Sequence, residues 1–307
     1  MGTRARMTTS LNPKTTLSVI RAAAQRARTQ VTASKTARLS LSDYELPAQT
    51  PALATIDGWP INLADADDAV TAVLSAARRG ESFSLVTLNL DHLVKLRFDP
   101  AFRRAYAAAR FVTADGEPVA RLAARQDARI ERTTGADLVV PLARRAAREN
   151  LSVYLFGTTP DVVARAASDL VERCEGKLAI AGSASPLAGF DPEGAEADAA
   201  LDRIAASGAR LCFVCLGAPK QEIFAARAAQ RGIACGFVCV GAALDFIAGA
   251  QIRAPAFMQR NGLEWLWRLA TSPRRLAKRY LMCALVLADI ALVSRFRPLP
   301  AGPRLAD

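Results

Sequence analysis

From about residue 54 onward the spacing of apolar and polar positions changes period repeatedly, and each change predicts a switch between strand and helix. Ile56-Asp57-Gly58-Trp59-Pro60 resembles a short strand pair turning on Asp-Gly. Helical periodicity over Ala64–Arg79 leads into an apolar strand at Ser84–Leu88, then a helix over Asp91–Ala109 and a short strand at Arg110–Thr113. Gly135–Asn150 predicts a helix, Val153–Phe156 a strand, Pro160–Cys174 a helix, Leu178–Ala181 a strand and Pro192–Ala206 a helix. Leu211–Leu216 and Gly236–Val240 are two further apolar strands. Strands that alternate with helices of this length predict an α/β fold: a Rossmann-like, mostly parallel sheet with helices on both faces.

The two ends read differently. Residues 1–50 show little periodicity beyond a short helical signal around Leu17–Arg28, and are expected to form a basic flexible leader. Arg4 and Arg6 are followed by no apolar export-signal core, so export is not expected. The α/β domain expected to carry the chemistry spans 51–252, a helical basic C-terminal appendage spans 253–297, and 298–307 is a tail. The longest apolar run, Leu281–Val293, is interrupted by Asp289 and falls short of the roughly 20 residues a bilayer span needs. Over Arg274–Arg297 basic and apolar patches alternate at near-helical spacing. A helix in the headgroup plane, with Leu281, Leu285 and Leu292 inward and arginines on anionic lipid, fits this pattern. A core-packed helix with solvated charges fits it too.

Charge sharpens that division. The formal net charge is +11, yet residues 1–40 carry eight Lys/Arg and no acid, and 251–307 carry ten Lys/Arg against three acids. The body between them holds 22 basic and 26 acidic residues. An acidic body with basic ends suits an enzyme whose ends meet an anionic surface, and the absence of an aromatic basic motif argues against nucleic acid. Six cysteines clustered in apolar runs are expected to be reduced thiols.

Candidate chemistry gathers where strands end. Three strands run into glycine as LFG, CLG and CVG, at Gly157, Gly217 and Gly241. Ligands of open α/β sheets bind at the strands' carboxyl ends, where glycine permits close backbone approach; turn geometry alone also places glycine there. Thr87 and Asn89 share one face of their strand, although an Asn/Thr turn is the plain alternative. Asp115-Gly116 follows another strand, so Asp115 can accept a proton from an attacking hydroxyl, or simply form an Asp-Gly turn. In Gly217-Ala218-Pro219-Lys220-Gln221-Glu222, Pro219 suits a first helical turn and leaves Lys220 and Gln221 at a helix N-terminus, where a diphosphate is stabilised.

In order along the chain, TLN, ADG, RTTGADL, LFG, LGAPKQE, VGAALDFIAG, RAP, GLEWLWRL and PRRLAKRY resemble the WecG/TagA/CpsF glycosyltransferases over roughly residues 55–282. The resemblance implies inverting transfer of a hexose of the N-acetylmannosamine, uronic acid or glucose type. The donor would be a UDP-sugar and the acceptor an undecaprenyl-diphosphate-linked sugar, in envelope or extracellular polysaccharide synthesis. It implies that Asp115 is the base, that Thr87 and Asn89 lie at the sugar site and Gln221 in the nucleotide-sugar pocket, and that C-terminal arginines dock on the membrane and complete the site. The candidate binding set is therefore Thr87, Asn89, Gly116, Arg132, Gly157, Gly217, Lys220, Gln221, Asp245, Arg253, Arg275 and Arg279. No cofactor is implied. The expected location is cytoplasmic, peripheral to the inner face of the plasma membrane; a homo-oligomer is compatible. Glu117-Pro118 departs from the family, where a hydrophobic residue or glycine often follows the Asp-Gly pair, and the extension beyond Tyr280 lies outside the resemblance.

Other patterns are read as structural. Cys212-Phe-Val-Cys215 and Cys235–Cys239 mimic halves of a zinc site, but strand positions three apart face opposite sides. Asp65, Asp67 and Asp68 begin a helix, where acids complement its dipole, and no metal is expected. His92, the sole histidine, follows the Thr87–Asn89 strand and is read as structural. A dehydrogenase or other nucleotide-binding enzyme is the rival class, but no G-x-G-x-x-G follows a strand.

Overall fold

The computed structural model describes residues 51–296; the expected leader, its Leu17–Arg28 helix and the tail lie outside the described residues, as do the side chains of 256, 275 and 293–296. The first elements are the antiparallel pair β1 (Ala54–Ile56) and β2 (Trp59–Ile61). Asp57 and Gly58 both take positive φ, as a tight two-residue hairpin turn requires. The expected Asp-Gly hairpin is present.

Helix α1 (Ala66–Arg78) starts on Asp65, whose carboxylate accepts the Asp68 N–H at 2.8 Å, while Asp68 takes the Ala64 N–H at 2.9 Å. These acids therefore cap a helix. After β3 (Phe83–Leu88) the structure has two helices where one was expected, α2 (Leu90–Phe98) and α3 (Pro100–Ala107). Pro100 bars the residue before it from helical geometry, and Asp99 restarts the helix by accepting the Phe102 N–H at 3.0 Å. β4 (Phe111–Ala114) is followed by a short helix the periodicity did not predict, α4 (Glu117–Ala124).

The remaining sheet elements are α5 (Gly135–Arg148), β5 (Val153–Gly157), α6 (Pro160–Arg173), β6 (Ile180–Ala184), α7 (Ala195–Ala206), β7 (Leu211–Cys215), α8 (Lys220–Gln230) and β8 (Gly236–Cys239). α9 (Ala243–Ile247), α10 (Ala256–Arg260), α11 (Glu264–Thr271) and α12 (Pro273–Phe296) follow. The six main strands lie in the order β4-β3-β8-β7-β5-β6, and every neighbouring pair is parallel. The expected α/β architecture is the one observed.

Alternate strand residues feed two apolar layers. Val86, Leu88, Val112, Phe156, Cys212, Val214 and Phe237 face the layer built with α2, α3, α4, α7 and α8. Phe83, Leu85, Leu155, Phe213 and Val238 face the layer built with α1, α5, α6 and α9. Cys212 and Cys215 enter opposite layers, so the CxxC spacing cannot grip one ion.

The last helix does not lie wholly on the outside. α12 packs along α2; Val286 is fully buried in the first layer, and Leu276 and Cys283 are buried too. Asp289, which interrupts the apolar run, pairs at 3.0 Å with Arg97 of α2. Of the three leucines expected to face lipid, Leu281 and Leu292 are exposed and Leu285 is half-buried. No described helix is long and apolar enough to cross a membrane.

Burial of Val286 against exposure of Leu281 gives a paired expectation. Val286→Ala should lower stability by about 2 kcal/mol from lost apolar burial and the space left behind. Leu281→Ala should change it by less than about 0.5 kcal/mol, both read by chemical denaturation.

Candidate active site

Parallel pairing of β3 with β4 sets Leu88 opposite Ala114, and the Asp115 N–H donates to the Leu88 carbonyl at 2.8 Å. The residues just past each strand, Asn89 and Asp115, are thereby brought side by side. Thr87 Oγ1 and Asn89 Nδ2 both donate to Asp115 Oδ2, each at 3.2 Å. Among the described residues nothing donates to Oδ1. Asn89 has a second task, since its Oδ1 caps α2 through the His92 N–H at 3.0 Å.

Burial pushes the Asp115 carboxyl above its ordinary range, opposed by the Asn89 hydrogen bond, the Arg268 charge and the Thr87 hydroxyl. Gly116 follows with φ 77°, a conformation that favours glycine, and opens α4. Glu117, the departure from the family pattern, pairs with Arg121 at 2.6 Å. Its side chain lies against Gly262, where a Cβ would come within 2.7 Å of Glu117 Cγ. Glu117 thus touches the C-terminal segment.

The RTTGADL segment is sewn to the end of β4. The Thr133 N–H donates to the Ala114 carbonyl at 2.8 Å, and Thr113 Oγ1 donates to the Thr133 carbonyl at 3.0 Å. Thr134 and Asp137 form a reciprocal capping box at the start of α5. Gly135 lies so close to β8 that a Cβ would meet Val240 Cα at 2.7 Å.

From Asp137 a ladder of charges leads into the C-terminal segment. Arg132 lies 3.7 Å and Arg253 2.8 Å from the Asp137 carboxylate. Arg253 lies 3.6 Å from Glu264, which pairs with Arg268 at 3.2 Å. Burial pushes the Asp137 carboxyl up, but Arg253, Thr134 and Arg132 together hold it below the ordinary carboxylate range. Arg268, which the sequence reading left out of the candidate set, is the cation whose charge reaches Asp115. Its sequence signal was its place in the GLEWLWRL motif, among the C-terminal arginines that the resemblance implies complete the site.

The other candidates fall into separate groups. Gly157, φ 127°, passes so near β7 that a Cβ would lie 2.2 Å from the Cys215 carbonyl oxygen; close strand packing alone requires glycine there. Beside it, Thr158 Oγ1 donates to Asp245 Oδ1 at 2.8 Å and Cys215 Sγ to Asp245 Oδ2 at 3.5 Å. Burial, with Asp245 beside it, raises the Cys215 thiol to about 12.

Gly217 has φ 72° and open space above it. Lys220 donates to the Phe190 carbonyl at 2.7 Å. Gln221 is buried: its Nε2 donates to Glu222 at 2.8 Å and its Oε1 accepts the Gly241 N–H at 3.0 Å. Arg279 pairs with Asp91 at 3.0 Å, and Lys95 pairs with the same carboxylate. The Arg275 side chain lies outside the described residues. Among the described residues no group of three or more His, Cys, Asp or Glu is placed to hold a metal ion.

A parallel sheet with helices on both faces and a desolvated carboxylate, held by two donors past its strands' carboxyl ends, is an α/β arrangement of the kind that binds ligands at that edge. A family model described as the glycosyl transferase WecG/TagA/CpsF family matches residues 54–300, most of the chain, and the protein belongs to that family of glycosyltransferases. The match runs past Tyr280, so the C-terminal extension falls within the family region as far as residue 300.

Raised protonation of Asp115 has a stability consequence with a definite sign. A carboxyl whose folded pKa is raised favours the folded state most below its unfolded value, and that contribution is lost as pH rises through the folded pKa. Asp115→Asn should therefore raise the thermal midpoint at neutral pH, with the difference shrinking as pH falls from the raised folded pKa toward the ordinary aspartate value of about 4 and staying level below it. Differential scanning calorimetry across pH checks it; an unchanged gap at acid pH would contradict the cause given.

Proposed function

We propose that the protein is an inverting hexosyltransferase that moves a hexose from a UDP-sugar to an undecaprenyl-diphosphate-linked sugar, with Asp115 as the base. The observation that carries this reading is the one-sided anchoring of Asp115: both donors hold Oδ2, which leaves Oδ1 for an acceptor hydroxyl. The acceptor oxygen attacks the anomeric carbon as its proton passes to Oδ1. The bond from that carbon to the diphosphate oxygen breaks on the opposite face, and UDP departs with the electron pair. Partial desolvation strengthens Asp115 as a proton acceptor, while the Arg268 charge keeps the ionised form accessible. Thr87 and Asn89 orient the carboxylate. Gly116 and Gly217 give backbone access, and Arg132, Arg253, Asp245, Lys220 and Gln221 frame the donor.

The acceptor's lipid anchor requires the site to work at a membrane. Phe257, Leu263, Trp265 and Leu266 are exposed in α10, α11 and the turn between them, and Arg268 and Arg279 are solvent-accessible beside them. Apolar side chains among cations suit an anionic headgroup layer, with tryptophan at the interface. This reading keeps the protein on the cytoplasmic face of the plasma membrane without a spanning segment.

UDP release in the presence of a panel of UDP-sugars and a lipid-diphosphate sugar acceptor tests the reaction. Asp115→Asn should lower kcat by about 10²–10⁴-fold, the contribution of a positioned base, without loss of the thermal midpoint. Near-normal turnover by a well-folded Asp115→Asn protein would remove Asp115 from the role.

Membrane docking is tested apart from catalysis. Replacing Trp265 and Leu266 together by alanine should reduce co-sedimentation with phosphatidylglycerol vesicles while leaving the thermal midpoint near that of the wild type. Unchanged sedimentation counts against this surface.

A further inference from the structure

Beneath the Asp115 cluster runs a buried polar chain of which only Gln221, at the donor, enters the proposed reaction. The Tyr106 hydroxyl, on α3, lies 3.2 Å from the Thr87 carbonyl and 2.5 Å from His92 Nδ1. His92 Nε2 lies 3.8 Å from Glu222 Oε1, which accepts the Gln221 amide, whose oxygen in turn takes the Gly241 N–H. His92, Tyr106, Gln221 and Glu222 are all buried. The chain thus joins the end of β3 to the turn after β8, two neighbouring strands of the sheet. Paired positions of β3 and β8 run only to Leu85 and Val238, so Thr87 lies beyond that ladder.

We infer that Glu222, acting through the tautomer of His92, decides whether the Tyr106 hydroxyl holds the Thr87 carbonyl, which makes Glu222 a positioning residue for the Asp115 cluster. The inference follows from counting protons. Tyr106 has one hydroxyl hydrogen and two acceptors within reach, and a neutral imidazole carries one N–H.

When Glu222 is a neutral acid, His92 carries its proton on Nδ1 and donates to the Tyr106 oxygen; the hydroxyl hydrogen is then directed to the Thr87 carbonyl. When Glu222 releases its proton to solvent, the carboxylate draws the imidazole proton to Nε2. Nδ1 then becomes an acceptor, takes the Tyr106 hydrogen, and Thr87 loses that donor. Closing the 3.8 Å gap to hydrogen-bond length needs a movement of about 1 Å.

Two observations agree with the first state at rest. The Nε2–Glu222 separation is too long for a hydrogen bond, and Glu222 Oε2 has no partner among the described residues, which disfavours an ionised carboxylate. Burial, with Asp91 adding to it, raises the Glu222 carboxyl to about 7 against the pull of Gln221 and Lys95. Burial, then Lys95 and Arg279, lower His92 to about 3 against Asp91 and a hydrogen bond to the Thr87 backbone, so the imidazole stays neutral. Tyr106 is raised further by burial, Glu222, Cys239 and Asp115 and does not ionise. The charged and titratable groups facing the chain are therefore Asp91 and Lys95 of α2, Arg279 of α12, Cys239 of β8 and Asp115 beside β4.

His92 is the only histidine in the protein, so its ring nitrogens can be read without assignment by ¹⁵N NMR on the whole chain. The wild type should show the Nδ1–H tautomer on the acid side and the Nε2–H tautomer on the alkaline side of a midpoint at about 7. Glu222→Gln, which mimics the neutral acid, should hold Nδ1–H throughout. A wild-type tautomer that does not change with pH, or a Glu222→Gln spectrum that follows the wild type, overturns the relay.

The positioning role rests on the proposed reading of Asp115 and is measured separately. Tyr106→Phe should lower kcat about tenfold, the worth of one hydrogen bond to a buried carbonyl, with little change in donor KM. Glu222→Gln should keep its rate on the alkaline side where the wild type declines. If Asp115→Asn is inactive while Tyr106→Phe and Glu222→Gln keep wild-type rates and pH profiles, the positioning role is wrong. If Asp115→Asn stays active while the histidine tautomer switches, the relay stands and the assignment of the base fails.

Discussion

The arrangement of the site depends on one register, that of β3 against β4. Pairing Leu88 with Ala114 aligns the two strand ends, so that Thr87, Asn89 and Asp115 meet around a single carboxylate oxygen. A carboxylate moved out of water needs donors nearby, and a shift of one residue would turn Thr87 to the opposite apolar layer and remove one of them. The neighbouring elements reinforce this register. Thr133 ties the loop before α5 to the Ala114 carbonyl, and Gly135 lets that helix start directly against β8.

Charge then joins this fixed edge to the C-terminal segment. Asp137 serves both as a capping residue for α5 and as the partner of Arg253, from which Glu264 and Arg268 carry the ladder to within electrostatic reach of Asp115. Glu117 makes a second junction by packing against Gly262. The residue that departs from the family pattern is therefore an internal contact between the Asp-Gly corner and the last helices. This gives Glu117 a packing role independent of sugar choice.

Much of this was legible in the sequence where the physics is local. Apolar strands running into glycine marked the carboxyl edge, the Asp57-Gly58 pair marked a hairpin, and Asp65 marked a helix start. β6 was misplaced by two to three residues because, as an edge strand with mostly half-buried residues, it carries no clean apolar run. The single helix expected over Asp91–Ala109 ignored Asp99-Pro100, which is a stop and a cap in two residues. α4 is a short, alanine-rich helix of about two turns with a proline in its first turn, too brief for periodicity to declare itself. Long-range pairings left no mark at all: Asp137 and Arg253 are 116 positions apart, and nothing near Tyr106 or Glu222 announces that their side chains meet around His92.

Arg97 bears on how the chain reaches its folded state. Its buried guanidinium pairs with Asp57 in the first hairpin at 2.7 Å and with Asp289 in the last helix at 3.0 Å. A desolvated cation is costly with only part of its counter-charge in place. During synthesis Asp57 emerges well before Asp289, so a nascent chain still missing its final helix holds Arg97 half-compensated and leaves the apolar pocket of Val286 uncovered. The last helix therefore completes both the charge balance of the first hairpin and the cover of the first apolar layer, so the two ends of the described fold depend on each other.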